Sequence, residues 1–252
     1  MADWSPTQYL KFKNERTQPA LDLAMRVKDL PIKTIADIGC GPGNSTQVLS
    51  LLFPHADILG IDHSESMIEK ARKENPCIRF ELCDASSLKG KYDLLFSNAC
   101  LQWIPDHETL IPVLMDKLKE GGVLAVQVPM NGEEPLFRLI EEIVGEPKWN
   151  FPEGAGQTNG TLTPLEYYDI LAKCASSFDI WETKYHHTLP NHRALVEFVK
   201  GSRLRPYLAI LGDEKGRELE AEISERAKAL YPVMADGKVA LGFRRFFFTA
   251  KK

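Results

Sequence analysis

The feature that most constrains the fold is an alternation of short apolar segments with helix-length segments through the first half of the chain. The apolar runs, rich in β-forming residues, stand at 34–39, 56–62, 78–84, 92–98 and 123–129. Ser64 and Asp106 are placed as N-caps of two intervening helices, the second of which is expected to end at Gly121 and Gly122. This rhythm predicts an α/β, Rossmann-like fold whose parallel sheet is covered by helices on both faces.

The pattern changes after Pro129. Glycines and prolines between positions 145 and 160 indicate a long connection, which is followed by a helical segment at 163–177. A sixth strand is expected at 177–187, a helical block from Asn191 to about Leu230, and a final strand at 243–252. Such a block between the last two strands would make a lid.

Composition excludes several classes of protein and site. The 252 residues carry 31 Lys and Arg against 35 Asp and Glu, so no basic excess favours nucleic acid. No apolar run is long enough to span a bilayer, and the N-terminus does not resemble a secretion signal. Five cysteines without a CxxC pair predict a reducing, cytoplasmic setting. Six histidines without HxxxH or HExxH spacing predict no metal site.

A glycine-rich turn leaves the first strand and opens a helix, in the segment DIGCGPGNST. Its spacing is G-x-G-x-G, from Gly39 through Gly41 to Gly43, and it allows a ligand to touch the backbone. The G-x-G-x-x-G spacing of dinucleotide sites is missing, which disfavours a nicotinamide dehydrogenase without formally excluding it.

Three carboxylates accompany this turn. Asp62, at the end of the second strand, can accept both hydroxyls of a ribose, and Asp84, closing the third strand, can meet an adenine amine. Either residue could instead merely cap the following helix. Asp37, just before the glycines, suits a positively charged ligand and would repel a pyrophosphate. S-adenosylmethionine, which carries an ammonium and a sulfonium, meets these requirements.

The segments DIGCGPGNST, GIDHSESM and FELCDAS resemble motifs of the class I S-adenosylmethionine-dependent methyltransferases over about residues 30–130. The N-terminal DWSPTQYLKFKNERTQPALDL, LLFSNACLQWIPDH and the C-terminal VEFVKGSRLRPYL closely resemble the trans-aconitate 2-methyltransferase family, nearly end to end. The resemblance implies a mostly parallel seven-stranded sheet with an antiparallel final strand. It also implies one methyltransferase domain over 1–252, whose parts are a helical cover (1–30), a cofactor-binding core (31–130), an insertion with the sixth strand (131–190), a helical lid (191–240) and the final strand (241–252).

The same resemblance implies a cofactor site for S-adenosylmethionine, with S-adenosylhomocysteine as the product. The implied contacts are Asp37, Gly39, Gly41 and Gly43 for the methionine part and ribose, Asp62 for the ribose, Met67, Asp84 and Ala85 for adenine, Asn98 for the methionine amine, and Arg16 for the methionine carboxylate, with Trp4 and Tyr9 as a cover. Met67 could equally be core and Arg16 could be a solvated residue on a helix face.

A second set of residues is assigned to the reaction and the substrate. Gln102 and Trp103 continue from the fourth strand into the loop that faces the reacting methyl in this fold, and His107 could reach the same region or cap a helix. A polyanionic substrate needs fixed cations, for which the candidates are Arg203, Arg205, Arg244 and Arg245, with Tyr207 as a hydrogen-bond donor. Adjacent strand residues alternate in direction, so at most one of Arg244 and Arg245 can point inward, and we expect two of the four arginines to serve.

These assignments predict an O-methyltransferase that forms a monomethyl ester of trans-aconitate or a similar small polycarboxylate. A carboxylate nucleophile is already ionised at pH 7, so no general base is required. The open alternatives are a methyltransferase for another acid, such as an acyl-carrier-protein-linked malonyl group, or for a quinone precursor, and a non-catalytic S-adenosylmethionine-binding protein. We expect a small-molecule substrate, no nucleic-acid or membrane partner, and a monomer or weak dimer.

Overall fold

The computed structural model describes residues 13–156 and 160–252, with side chains from residue 17 onwards. Its strands form one seven-stranded sheet in the order β3-β2-β1-β4-β5-β7-β6. The strands are β1 (Thr34–Ile38), β2 (Asp57–Asp62), β3 (Arg79–Leu82), β4 (Tyr92–Asn98), β5 (Leu118–Pro129), β6 (Ser177–Leu189) and β7 (Val239–Lys251). The first five are parallel, whereas β7 runs antiparallel between β5 and β6, so the predicted α/β fold with an antiparallel last strand is confirmed.

Helices cover both faces of this sheet. They are α1 (Lys13–Met25), α2 (Asn44–Leu52), α3 (Glu65–Glu74), α4 (His107–Asp116), α5 (Pro135–Val144), α6 (Pro164–Cys174), α7 (His192–Val199) and α8 (Arg205–Ala227). A π-helical turn, Lys200–Leu204, joins α7 to α8, so helices fill the segment between the last two strands as predicted. None of the described helices is long and apolar enough to cross a membrane.

Three large apolar clusters hold most of these layers together, and a small fourth one joins α3 to β3 through Ile68 and Phe80. One face of the sheet packs on α4 and α6 through residues such as Ile111 and Tyr167. The opposite face packs on α1 and α2, where Leu23 and Leu49 are fully buried. The third cluster joins α5, α7 and α8 to the start of β7. Because both faces are covered, we expect a ligand to bind at the carboxyl edge of the parallel strands, as in other open α/β sheets.

Several element boundaries differ from the sequence-based expectation: the final strand begins at Val239, four residues earlier than predicted, and two further shifts lie around Gly121 and Gly122. The helix that follows Asp106 ends at Asp116, and β5 begins at Leu118, before the two glycines that were expected to stop the helix. Gly121 has a φ of +71°, so it takes a left-handed turn within the strand that other residues would adopt only with strain. The glycines therefore bend β5 and do not end α4.

The helix α5 was missed, because prolines and glycines on either side indicated a connection. Pro135 occupies its first turn, where the missing backbone N–H costs nothing. Leu136, Leu139, Ile140 and Ile143 recur at helical spacing and are all buried. The segment therefore contains an amphipathic helix that packs beneath α8.

Candidate active site

The glycine turn lies at the carboxyl end of β1 and is tight because every glycine in it has positive φ, from +54° to +93°. A Cβ on Gly39 would stand 2.2 Å from Cys100 Sγ, so that position also requires glycine on steric grounds. A Cβ on Gly41 would meet nothing within 4 Å. The turn thus packs tightly on the protein at Gly39 and leaves space at Gly41 for a ligand to approach the backbone.

Asp37 is buried immediately before this turn. Its Oδ2 accepts hydrogen bonds from Ser45 Oγ at 2.7 Å and Thr46 Oγ1 at 2.6 Å. Its Oδ1 has no hydrogen-bond partner within the described parts of the chain. Burial raises the pKa of Asp37 from 3.8 to about 6, against the lowering effect of the two hydroxyls. One carboxylate oxygen is therefore left to bind a cation.

Asp62 fastens the glycine turn to the end of β2. Its Oδ2 accepts from the Gly41 amide at 2.9 Å and its Oδ1 from the Ser64 amide at 2.9 Å. Each carboxylate oxygen has a second lone pair, so these bonds still leave room to accept from ligand hydroxyls. Asp62 thereby holds the glycine turn in shape and places its own carboxylate beside the turn, where it can accept from a ribose.

The predicted adenine contacts follow β2 and β3. Asp84 Oδ1 accepts from the backbone N of Ser86 at 2.9 Å and from its Oγ at 2.6 Å, which lowers the pKa of the Asp84 carboxyl. Asp84 is thus a helix cap, as one interpretation of the sequence held, and it keeps an ionised side chain at the surface. Ala85 beside it is buried, and Met67 is buried on α3.

The end of β4 supplies two further polar groups. Asn98 is buried, and its Oδ1 lacks a partner among residues 13–156 and 160–252. Gln102 donates from Nε2 to the carbonyl of Ala99 at 2.8 Å, while its buried Oε1 has no partner in the described structure. Trp103 ends the same short helical turn and is half-buried. Asp37, Asn98 and Gln102 therefore place acceptor oxygens around one edge of the sheet.

His107 is buried and holds helices together. Its Nε2 lies 2.8 Å from the carbonyl of Leu101 and must donate to it, which leaves Nδ1 to accept from Tyr167 Oη at 2.7 Å. Both ring nitrogens are engaged, so this histidine links α4 to α6 and the loop after β4. The possibility that it reaches the reacting region is not supported by these contacts.

Arg244 and Arg245 lie on opposite sides of β7, as strand alternation predicts. Arg245 is only 5% exposed; its Nη1 donates to Gln127 Oε1 at 3.4 Å, and its guanidinium lies 4.5 Å from the centre of the Phe243 ring. Arg244 is half-buried and donates from Nε to the carbonyl of Met130 at 3.1 Å. Arg245 is therefore the member of the pair that enters the interior.

The remaining candidates lie between β6 and β7. Arg203, in the π-helical turn, donates to Glu141 Oε1 on α5 at 2.7 Å, and Arg205 begins α8. Tyr207 is buried in the apolar cluster of the helical segment, with its ring edge-on to Phe151 at a centroid distance of 4.9 Å. These contacts join the helices to one another and do not connect Arg203 or Tyr207 to the carboxyl edge.

Two buried amides at this edge were not predicted from the sequence. Gln127, on β5, and Asn131, just beyond it, each have an amide nitrogen without a partner in the described segments. The available signal was a glutamine inside the apolar run VLAVQVP. Three predicted residues cannot be placed: Trp4 and Tyr9 lie outside the described residues, and Arg16 is described only as backbone within α1.

Comparison with known proteins agrees with this geometry. Residues 31–189 match a family described as a methyltransferase domain. The trans-aconitate 2-methyltransferase of Variovorax paradoxus is 43% identical, covering 100% of this chain and 99% of that protein. The enzyme of the same name from Methylobacterium nodulans is 44% identical, with coverage of 100% and 99%.

Solved structures at lower identity share the fold. The YcgJ protein of Bacillus subtilis is 13% identical, with a TM-score of 0.63, covering 93% of this chain and 98% of that one. Phosphoethanolamine N-methyltransferase 2 of Haemonchus contortus, solved with S-adenosyl-L-methionine, is 18% identical with a TM-score of 0.58, over 93% of this chain and 52% of that one. On the full-length relatives and the matched domain, this chain belongs to the methyltransferase domain family and, within it, to the trans-aconitate 2-methyltransferase family.

Proposed function

We propose that this protein is an S-adenosylmethionine-dependent O-methyltransferase that forms a monomethyl ester of trans-aconitate or a similar small polycarboxylate. The observation that carries the proposal is the buried Asp37 carboxylate, whose Oδ1 lacks a partner in the described structure beside the open space at Gly41. The full-length relatives named trans-aconitate 2-methyltransferase support the substrate class.

The residues present fit S-adenosylmethionine. Asp37 Oδ1 and Asn98 Oδ1, which have no partner among the described residues, suit its ammonium, and Asp62 retains acceptor capacity for ribose hydroxyls. We assign the adenine to Met67, Ala85 and Asp84 on the neighbouring loops. When bound, this cofactor supplies an electrophilic methyl group on a positively charged sulfur.

The chain itself has to bind, orient and shield the substrate. A carboxylate is ionised at neutral pH, so the nucleophile needs no base, and the engaged nitrogens of His107 agree with that. Rate enhancement then depends on holding the carboxylate in line with the methyl group and on excluding water. We assign Gln102 and Trp103 to the side of the site that faces the reacting methyl group, and Tyr207, within the lid, to a hydrogen bond with the substrate. We assign the interior Arg245 to carboxylates that do not react. Arg203, Arg205 and Arg244 remain candidates for that clamp.

The protein around this site is proposed to be one domain over 1–252, working as a monomer or weak dimer in a reducing compartment. All five cysteines are free thiols, which supports a cytoplasmic setting. The N-terminal cover is proposed for 1–30 and the lid for 191–240.

The test is mass spectrometry of products after incubation with S-adenosylmethionine and trans-aconitate, with citrate, cis-aconitate and isocitrate in parallel. We expect a base-labile monomethyl ester from trans-aconitate and little product from the other acids. The Asp37→Asn variant should form no ester, because it removes the charge that receives the ammonium. If no acid is esterified while S-adenosylhomocysteine still binds, the substrate belongs to another class, such as carrier-linked acids or quinone precursors.

A further inference from the structure

A row of polar side chains crosses the face of the sheet that α1 covers. It consists of Asp37 on β1, Asn98 on β4, Gln127 on β5 and Arg245 on β7, which are adjacent strands. Strand residues two positions apart share a face, and the neighbours of these four at that spacing all belong to the apolar cluster under α1: Ile35, Phe96, Ala125 and Phe247. The four polar residues therefore lie on one face, near the carboxyl ends of β1, β4 and β5.

Gln127 is the member of the row that has no assigned role. Its side chain is fully buried, and Nε2 has no hydrogen-bond partner in the part of the chain that is described. The amide cannot be flipped without cost, because Oε1 accepts from the Arg245 guanidinium and a reversed amide would set N–H against N–H. The Arg245 guanidinium thus holds Gln127 Oε1 toward β7, so the Nε2 amide group points away from that strand.

A buried amide N–H group without an acceptor destabilises the fold unless a ligand accepts from it. The ligand atom must be an acceptor, and the guanidinium behind the amide favours a negatively charged one. At the other end of the row Asp37 and Asn98 offer acceptor oxygens instead. The row therefore changes from acceptors at β1 and β4 to a donor at β5.

We propose that Gln127 is a carboxylate-binding residue of the active site, positioned by Arg245 so that its Nε2 donates to a carboxylate of a bound ligand. Two ligands can bring this group to the edge of the sheet: the methionine end of the cofactor and the polycarboxylate substrate. The inference rests on the proposed function for the second source only, because the first requires cofactor binding alone.

The decisive variant is Gln127→Glu. It keeps the size of the side chain and gives Arg245 a better acceptor, so a purely structural role for Gln127 would be preserved or strengthened. It removes the N–H donor and sets a negative charge against the incoming carboxylate. We expect at least a tenfold loss of affinity for the ligand that Gln127 contacts, from the loss of one charge-assisted hydrogen bond.

Two measurements separate the sources. Calorimetry with S-adenosylhomocysteine and with 5′-methylthioadenosine, which lacks the amino-acid end, detects contact with the cofactor. If Gln127 contacts the cofactor, Gln127→Glu should weaken the binding of S-adenosylhomocysteine and leave that of 5′-methylthioadenosine unchanged. Steady-state kinetics with trans-aconitate detects contact with the substrate: its KM should rise at least tenfold while the dissociation constant of S-adenosylhomocysteine stays within about twofold of wild type. Either pattern supports the proposal.

The proposal is overturned if both constants stay within about twofold of wild type in a folded Gln127→Glu variant. The exposed Gln47 on α2 supplies the matched control, because Gln47→Glu changes the net charge equally and should leave both constants unaltered. If Gln127→Glu does not fold, Gln127→Met removes the donor without adding charge and is held to the same criteria. A wild-type protein that methylates no polycarboxylate would refute the proposed substrate, while the calorimetric test of Gln127 would still apply.

Discussion

Replacing Asp37 by Asn should stabilise the ligand-free protein and at the same time abolish cofactor binding. In the folded chain burial raises the pKa of Asp37 from 3.8 to about 6. Between these two pH values, the native state therefore holds a proton that the unfolded chain has released. Stability therefore falls as the pH rises from 4 through 6, and at pH 7.5 the ionised carboxylate destabilises the fold by about 3 kcal/mol. The amide variant carries no such penalty.

The expected gain is smaller than that full figure. The side-chain oxygen of an asparagine can still accept from Ser45 and Thr46, but its NH2 group then takes the place of Oδ1, where the described structure offers no acceptor, at a cost of about 1–3 kcal/mol. The Asp37→Asn variant should thus be more stable than wild type by about 1 kcal/mol at pH 7.5. The difference should change sign by pH 4, where the wild-type carboxyl is protonated and no longer carries the charge penalty.

Urea unfolding of the ligand-free proteins at pH 7.5, 6.0 and 4.5, with calorimetry of S-adenosylhomocysteine, measures both effects. Wild-type affinity should fall up to tenfold for each pH unit below 6, because only ionised Asp37 pairs with the ammonium. A stability difference between the two proteins that does not change with pH would refute the argument from burial. Unchanged affinity in the variant would refute the assignment of Asp37 to the ammonium.

Asp93 on β4 provides a matched control of opposite sign. Burial raises its pKa, but hydrogen bonds from Lys119, from Thr34 and from the Lys33 amide outweigh that effect and leave the pKa of Asp93 below 3.8. Its contribution to stability is present at neutral pH and is lost as the pH falls through that lowered pKa. Asp93→Asn should therefore destabilise the protein at pH 7.5 and leave S-adenosylhomocysteine binding unaltered.

Five further substitutions test the glycine turn, the hydrogen bond between His107 and Tyr167, and Arg203. Gly39→Ala should prevent stable folding, because its Cβ would collide with a cysteine side chain. Gly41→Ala should lower the free energy of unfolding in urea by only about 1–2 kcal/mol, from the strain of its positive φ. It should nevertheless weaken the binding of S-adenosylhomocysteine measured by calorimetry. Tyr167→Phe should lower the unfolding free energy by about 1–2 kcal/mol, since a buried histidine nitrogen loses its donor, with kcat unchanged. Arg203→Ala should raise the KM for trans-aconitate, whereas Glu141→Ala should leave it unchanged. Equal effects of the two substitutions on KM would mean that Arg203 serves only its ion pair with Glu141 at the surface.

The sequence predicted best those features that depend on residues close together in the chain. The apolar runs predicted the strands because parallel strands are buried on both faces, and the positions of Asp37 and Asp62 followed from the ends of those strands. The turn between them required glycine by its own backbone conformation. Each of these features depends on a few consecutive residues, so a pattern is enough to predict it.

Features that depend on distant residues could not be predicted. The partner of His107 is Tyr167, which lies 60 positions away, so nothing near the histidine distinguishes a helix-linking residue from a catalytic one. The pairing of Arg203 with Glu141 depends in the same way on how α5 packs, and α5 itself was missed. That Gln127 Nε2 has no acceptor within the described structure can be found only from the positions of the donors and acceptors around it.

The contrast between Gln127 and the arginines has a chemical consequence for a substrate with several carboxylates. A guanidinium that binds the attacking carboxylate withdraws charge from it and weakens it as a nucleophile, whereas a neutral amide donor orients the same group with a smaller loss. The β5 and β7 end of the row provides both kinds of donor side by side, because the Gln127 amide contacts the Arg245 guanidinium. Under the proposed function, and with the substrate as the ligand that Gln127 contacts, the carboxylate held by the amide is the one left reactive, and those paired with arginine are held in place. The position of the ester on the product then follows from which carboxylate the amide selects.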